Sequence, residues 1–284
     1  MLTVGAVILT VVLLLVVVGP IVHGVSPDKT SGDLLVGPSS AHIMGTDSLG
    51  RDYFARWLAG GRTSLTIAVG ATILALVLGC AFGLTSAFVR NRFVAGLLMR
   101  VMDVLIAVPT ILLTVVIAGV LAARGGADSA FASQLYLLLI LGVSHAPLFA
   151  RVSRASALSE LQKPHVVASR LSGSHGWYLV RHSILPNMSA PLIAQFSFTV
   201  ALSILSASAV SFLGFGVRPP AADWGNMLAE SQSYFVLGAW WLVFFPCLII
   251  FLSALALNMM GDGLRDALDP STSRKTGIST VRSV

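Results

Sequence analysis

Charge is what this chain has least of. Asp, Glu, Lys and Arg together make up 11% of its 284 residues, against roughly a quarter in an ordinary soluble domain, and that scarcity excludes a soluble enzyme. All four are missing from six long stretches: 1–27, 63–89, 104–123, 129–150, 182–217 and 231–261. Ion-coupled carriers usually keep ionisable groups within the membrane. No carboxylate lies in any of these runs and Asp103 stands only at the edge of the third, so proton or sodium coupling is disfavoured. Cysteine is almost as scarce. Cys80 and Cys247 each sit inside an apolar run, where a thiol behaves as a small packing hydrophobe, and there is no disulfide framework or CxxC metal site.

Other chemistries fail on their residues. "GTDSLGRD", Gly45 to Asp52, has the two-glycine spacing of a phosphate loop, but Arg51 replaces the Lys and Asp52 stands where Ser or Thr should hold magnesium. A carboxylate there repels phosphate. His165, His175 and His182 lack Cys or carboxylates at paired ligand spacing, so no metal site is expected. An intramembrane serine hydrolase needs nucleophile and base facing each other. Ser144 and His145 are neighbours on one helix and cannot do so; pairing Ser211 with His145 is geometrically possible but nothing else motivates it.

What is present is oil, 56% of the residues. Each of the six runs reaches or exceeds the roughly 20 residues that a helix needs to cross a bilayer. Lipid tolerates only internally satisfied backbone, and no run alternates like a barrel strand. The expectation is an all-α membrane protein with six transmembrane helices. The first, 1–27, has no Lys or Arg ahead of "VILTVVLLLVVVG" and no Ala-x-Ala after it, so it reads as a retained span rather than a cleaved signal.

The polar remainder falls into two sets. Segments 90–103, 151–181 and 262–284 hold twelve basic residues against five acids, whereas 28–62, 124–128 and 218–230 hold six against seven. The positive-inside rule places the first set, and both termini, in the cytoplasm. The net charge of +6 is explained by that topology; with no basic face or RNA-binding motif, no nucleic-acid partner is expected.

Along the chain, the extracytoplasmic segment 28–62 ends in "GRDYFARWLAGGR", with Tyr53, Phe54, Trp57 and Leu58 on one helical side and Asp52 spaced i,i+4 from Arg56. It reads as an interfacial helix leading into the second span. That span carries Gly79 and Gly83 in a GxxxG spacing, which favours close helix packing. Pro109, Pro147, Pro191 and Pro246 fall in the last four spans and define no site. Between the last two spans, Trp224, Tyr234, Trp240 and Trp241 suit an interface belt. The tail 270–284 is polar and expected to be disordered.

The segment 151–186 is a long polar connection, unusual as a structureless loop. "HVVASRLS", His165 to Ser172, follows Pro164 and ends at Gly173, which suits a helix C′ position with φ > 0. A second amphipathic stretch, "GWYLVRHSIL", runs to Pro186. A chain with no means of coupling or hydrolysis of its own receives energy from a partner, and a protruding short helix can receive it.

Here the sequence resembles a family. Segment 151–186 is similar to the EAA loop of binding-protein-dependent ABC importer permeases: Glu-Ala-Ala, three residues, Gly, nine residues, Ile-x-Leu-Pro. Ala168, Gly173, Leu185 and Pro186 match, while Val167 replaces the Glu, Ser169 the second Ala and Ser183 the Ile. Three more stretches resemble the C-type permease of dipeptide and oligopeptide systems: "HIMGTDSLGRDYFARWLAGGRTSL" (His42–Leu65), "SFLGFGVRPPAADWGNML" (Ser211–Leu228) and "GDGLRDALDP" (Gly261–Pro270).

The resemblance implies the type I ABC importer permease fold, with the permease core over 63–269, in a multi-pass protein of the bacterial inner membrane. It implies no catalytic residue and no cofactor in this chain, ATP and magnesium being held by partners. Those partners would be a second, B-type permease, two ATPase subunits or one fused ATPase, and an extracytoplasmic substrate-binding protein. The ATPase-docking residues would be His165, Val166, Val167, Ala168, Ser169, Arg170, Leu171, Ser172 and Gly173, with Leu185 and Pro186. Trp224, Gly225 and Asn226 would lie on the binding-protein side, where folding the loop is their other role. Val167 in place of Glu removes any ion pair made from that position. The cargo is expected to be a di- or oligopeptide; the same pattern serves nickel complexes, glutathione or haem. An ion-coupled carrier and an intramembrane hydrolase using Ser211 are the competing classes.

Overall fold

The computed structural model describes residues 1–123, 129–174 and 176–268; the expected disorder of the tail 270–284 lies outside them. Among the described residues there are helices and two isolated bridges, Thr30 with Arg51 and Thr46 with Asp52, but no strand. In chain order the helices are α1 (Leu2–His23), α2 (Tyr53–Phe88), α3 (Arg92–Ala107), α4 (Thr110–Ala123), α5 (Ala130–Glu160), α6 (Pro164–Leu171), α7 (Gly176–Leu179), α8 (Ser189–Phe212), α9 (Trp224–Phe235) and α10 (Trp241–Leu268), with a π-helical turn at Val180–Ile184. By length and composition α1, α2, α5, α8 and α10 can each cross a membrane.

The third apolar run is not a straight span. α3 and α4 meet at a bend of 84° and make a sixth span only as a pair. Pro109 sits at the break, and Val108 before it is extended, φ −87 and ψ 124, as the residue before a proline prefers. α4 alone has 14 residues, about 21 Å at 1.5 Å per residue, short of a hydrocarbon core of roughly 30 Å. α3 begins at Asn91, whose side chain accepts from the Phe93 amide, and buries Ala95, Met99 and Met102 at helical spacing.

The expected interfacial helix before the second span does not exist as a separate element. α2 is continuous over 36 residues, about 54 Å, so its first turns stand beyond the hydrocarbon. Its aromatic side faces protein. The Tyr53 hydroxyl donates to the Leu242 carbonyl at 2.6 Å and the Trp57 indole to that of Phe245 at 3.2 Å, both on α10. Phe54 stacks on Trp57 and meets His23 edge-on. Asp52 does not pair with Arg56; it caps α2, accepting from the Ala55 amide at 2.8 Å.

Packing centres on the crossing of α2 and α5. Gly79 and Gly83 face Ala146, Phe149, Ala150 and Ser153 of α5 so closely that a Cβ at either would collide with the α5 backbone. α8 lies against α2 and α5 on one side and α10 on the other, and α1 rests on α10 and α2 through Val12 and Val16. The aromatic belt is only partly realised: Trp224 and Trp241 are buried in this core, Tyr234 is half-buried and Trp240 is exposed.

The crossing gives a test. Gly83→Val places side-chain atoms on the Ser153 hydroxyl and the Ala150 carbonyl, an overpacking expected to cost about 1–3 kcal/mol. Thermal unfolding in detergent should show a clear drop for this variant. Gly96→Val should stay close to the parent, since nothing lies within 4 Å of a Cβ at Gly96.

Candidate functional site

The segment 151–186 builds a small platform at the end of α5. Glu160, the last residue of that helix, is buried; Lys163 donates to its Oε1 at 2.6 Å and the His165 ring lies 3.8 Å from its Oε2. Pro164 then opens α6, where its missing amide hydrogen costs nothing. Val166 is the only buried residue of α6 and plugs a cluster that includes Phe149, Ala157, Leu179, Ile184 and Met188.

α6 stops as its sequence foretells. Gly173 has φ 91. Its N–H donates to the Arg170 carbonyl at 3.0 Å and the Ser174 N–H reaches back to Ser169 at 3.1 Å, the paired bonds of a Schellman cap. Nothing lies within 4 Å of a Cβ at Gly173, so backbone angle rather than crowding calls for glycine. The second stretch folds as α7 and then the π turn, closed by the Leu185 N–H on the Val180 carbonyl at 2.8 Å, and not as one amphipathic helix. The ends of the segment touch: the Ser183 hydroxyl donates to that of Ser169 at 3.5 Å, and Asn187 Nδ2 lies 3.4 Å from His165 Nε2.

Of the residues singled out from sequence for this segment, all but Val166, which is buried, share one surface. His165, Val167, Ala168, Arg170, Leu171, Ser172 and Gly173 are exposed, Ser169 is half-buried, and Leu185 and Pro186 are exposed beside them. His182 stacks on Tyr178 at 4.2 Å. No cluster of three metal-ligating side chains occurs among the described residues; His175 lies outside them.

The second trio sits at the opposite end of the fold. Trp224 is fully buried; its indole donates to the Trp57 carbonyl at 3.2 Å and its amide to the Ser64 hydroxyl at 3.1 Å. Gly225 lies against the backbone of Ser208, and half-buried Asn226 donates to the Val217 carbonyl at 3.1 Å. Asp223 caps α9 through the Gly225 and Asn226 amides. Trp224 and Gly225 thus hold the loop together from inside.

Sequence reading missed the ionic cluster beside this loop. Arg56 is 1% exposed and lies 3.6 Å from Asp28, 3.6 Å from Asp47 and 3.5 Å from Glu230 of α9; Arg51 reaches Asp47 at 2.6 Å and Glu230 at 3.2 Å. Asp47 also accepts from the Leu49 and Arg51 amides at 2.9 Å, so a carboxylate of the chain occupies the amide nest that a phosphate loop would offer. The i,i+4 spacing of Asp47 and Arg51 was the available signal.

The hydrolase pairing does not form. His145 Nδ1 lies 3.0 Å from the Ser203 hydroxyl, which is 3.3 Å from that of Thr72. This is a buried knot joining α5, α8 and α2, and no carboxylate is among its hydrogen-bond partners.

Residues 75–274 match the family model described as the binding-protein-dependent transport system inner membrane component. The chain is 41% identical over 237 residues to the di/tripeptide transport system permease protein DppC of Pseudomonas aeruginosa (strain UCBPP-PA14), covering 83% of this chain and 74% of that protein. It is 38% identical to the glutathione transport system permease protein GsiD of Pectobacterium atrosepticum, covering 82% and 74%. A chain of the MetNI methionine ABC transporter, crystallised in inward-facing conformations, superposes with a TM-score of 0.60 at 18% identity, over 74% of this chain and 94% of that one. The fold is that of a type I ABC importer permease.

Asp223 provides a pH test of the loop. Burial raises its carboxyl from 3.8 to about 6, against the pull of the two amides it caps. The folded state therefore holds the proton more tightly than the unfolded chain, and stability falls as pH rises from about 4 to about 6. Asp223→Asn keeps the acceptor for α9 without the buried charge. Melting measured across that window should flatten in the variant and, near neutral pH, lie above the parent by about 1–3 kcal/mol.

Proposed function

This chain belongs to the binding-protein-dependent transport system inner membrane component family, as a C-type permease of the peptide-importer class, and from that premise we propose that it carries di- or oligopeptides through the inner membrane at the expense of ATP hydrolysed by partners. It is the translocation subunit. A second, B-type permease completes the pathway, two cytoplasmic ATPase subunits or one fused ATPase supply energy and hold the ATP and magnesium, and an extracytoplasmic binding protein delivers the cargo.

The observation that carries the reading is α6: an exposed helix, anchored by the single buried side chain of Val166, terminated by a left-handed glycine, and placed where the sequence pattern of the family puts its ATPase contact. The excess of basic residues in 90–103, 151–181 and 262–284 supports placing α6 and both termini in the cytoplasm. Closure of the ATPases would displace α6. Because α6 follows α5 after a tight turn and its anchor sits beneath the α2–α5 crossing, that displacement moves whole helices, alternating access between the two faces.

Cargo recognition at this level rests on the peptide and glutathione permeases among the relatives; the spans contribute mainly apolar, Ser and Thr side chains, so the binding protein is the principal selector.

Two measurements test the reading. Purification of the tagged chain from its native membrane in mild detergent should bring with it a second permease and ATPases carrying Walker motifs. Recovery of the chain alone, while a control complex survives, overturns it. Gly173→Asp should insert normally yet lower peptide uptake roughly tenfold or more, since a side chain at this left-handed position strains the cap. Undiminished uptake removes α6 from the coupling path.

A further inference from the structure

The closing stretch that begins at Gly261 takes no part in the platform, yet it lines a cavity. Where α8 starts and α10 ends, the two helices and Val152 of α5 enclose a hollow of about 320 Å³. Four polar side chains line it, Gln195 from α8 and Asn258, Asp262 and Arg265 from α10. Gly261 lets the helices close at this level, since a Cβ there would stand 3.2 Å from that of Ser197 and 3.3 Å from the Ala194 carbonyl.

The polar groups of this hollow are only half used. Gln195 Nε2 donates to the Thr199 hydroxyl at 3.0 Å and Asn258 Nδ2 to the Ala254 carbonyl at 2.9 Å, which leaves both side-chain carbonyl oxygens as acceptors. Asp262 and Arg265 are exposed and have no ion-pair partner among the described residues, each other included. Lying three apart on one helix, they start from Cβ atoms about 5–6 Å apart. Opposite charges held side by side but not spent on each other, with amide acceptors in the same hollow, suit a ligand that brings both charges and N–H donors. A short peptide with free termini has all of these, and two residues of extended chain span about 7 Å. A phosphoethanolamine headgroup has the charges but no peptide N–H for Gln195 and Asn258. The size also fits a small molecule, since such pockets start at roughly 300 Å³.

The hollow does not stand alone. A second one, apolar and about 640 Å³, runs along the same two helices past Leu205 and Ser208 and shares Asn258 with the first. Resting on the peptide-import reading above, we infer that the polar pocket binds the peptide by its termini as it leaves this groove. Arg265 takes the carboxylate, Asp262 the ammonium, and Gln195 and Asn258 the peptide N–H. Reading termini and main chain ignores side chains, which suits a carrier of varied peptides.

The test uses labelled L-alanyl-L-alanine and the assembled transporter in lipid nanodiscs, without binding protein or ATP, with binding read by equilibrium dialysis. N-acetylation or C-amidation of the dipeptide should each weaken binding roughly tenfold, the loss of one charge-assisted contact. Asp262→Asn should bind the free dipeptide about tenfold more weakly and no longer distinguish the acetylated one; Arg265→Gln should do the same for the amidated one. A misfolded variant would instead lose all three ligands alike, so Gln195→Ala, which should weaken all three by a similar factor without altering the discrimination between them, serves as the internal control for a folded pocket. Equal binding of free and blocked dipeptides by the parent, or variants that keep the parent's discrimination, overturns the pocket. So does binding of phosphoethanolamine in place of the dipeptide, lost in the same two variants, which would assign the hollow to a lipid headgroup. A parent complex that imports peptides with its binding protein yet binds no dipeptide here refutes the pocket alone; one that imports no peptide strikes the reading on which it rests.

Discussion

The structure depends on how closely α2 can approach α5. Gly79 and Gly83 leave the notches into which Ala146, Phe149, Ala150 and Ser153 settle. In lipid no hydrophobic effect drives helices together, since the tails are as apolar as the side chains, and close van der Waals contact has to do it. With that contact made, two long helices behave as one rod. At one end α2 carries Asp52, Tyr53 and Trp57 into the ionic and aromatic cluster; at the other α5 delivers Glu160 and Leu161 to the start of α6. A displacement at the platform therefore cannot be absorbed within the pair and has to move the helices packed on it, α8 and α3 first.

The two ends spend polar groups differently. At the end where α2 begins, Arg56 is buried beside Asp28, Asp47 and Glu230, and an ion pair with a buried member is seldom a net source of stability. Its consequence is positional: the start of α2, the 28–52 segment and α9 share charges and cannot separate without stranding one. At the platform the ionic contacts are looser. Lys163 and His165 lean on Glu160 from solvent, and the Arg151–Asp103 pair, half-exposed on both sides, is worth under about 1 kcal/mol. One end is tied by buried charge, the other by the Val166 plug and the backbone cap at Gly173.

Much of this was legible in the sequence because lipid imposes simple rules. Charge-free runs of the right length located five spans; Pro164, Gly173 and Pro186 located the turns of the platform. What escaped was whatever depends on partners distant in sequence. Periodicity alone could not tell that Tyr53 and Trp57 face the Leu242 and Phe245 carbonyls of α10 instead of a lipid interface, nor that Trp224 closes on Trp57. Pro109 was visible, yet its effect, an 84° turn between α3 and α4, depends on packing that holds both halves. His145 found Ser203 instead of Ser211 because the register of α8 against α5, set between residues 58 apart in sequence, is a matter of packing.

The His145 knot also bears on how the helices can move. In the middle of the bundle His145, Ser203 and Thr72 join α5, α8 and α2, whereas the surrounding contacts are apolar and non-directional. Apolar surfaces can slide past one another at little cost, while hydrogen bonds in a dry interior are either made or lost. The knot thus fixes the register of α8 against α2 and α5 at this level, since a shift of any of the three breaks hydrogen bonds that a dry interior does not replace.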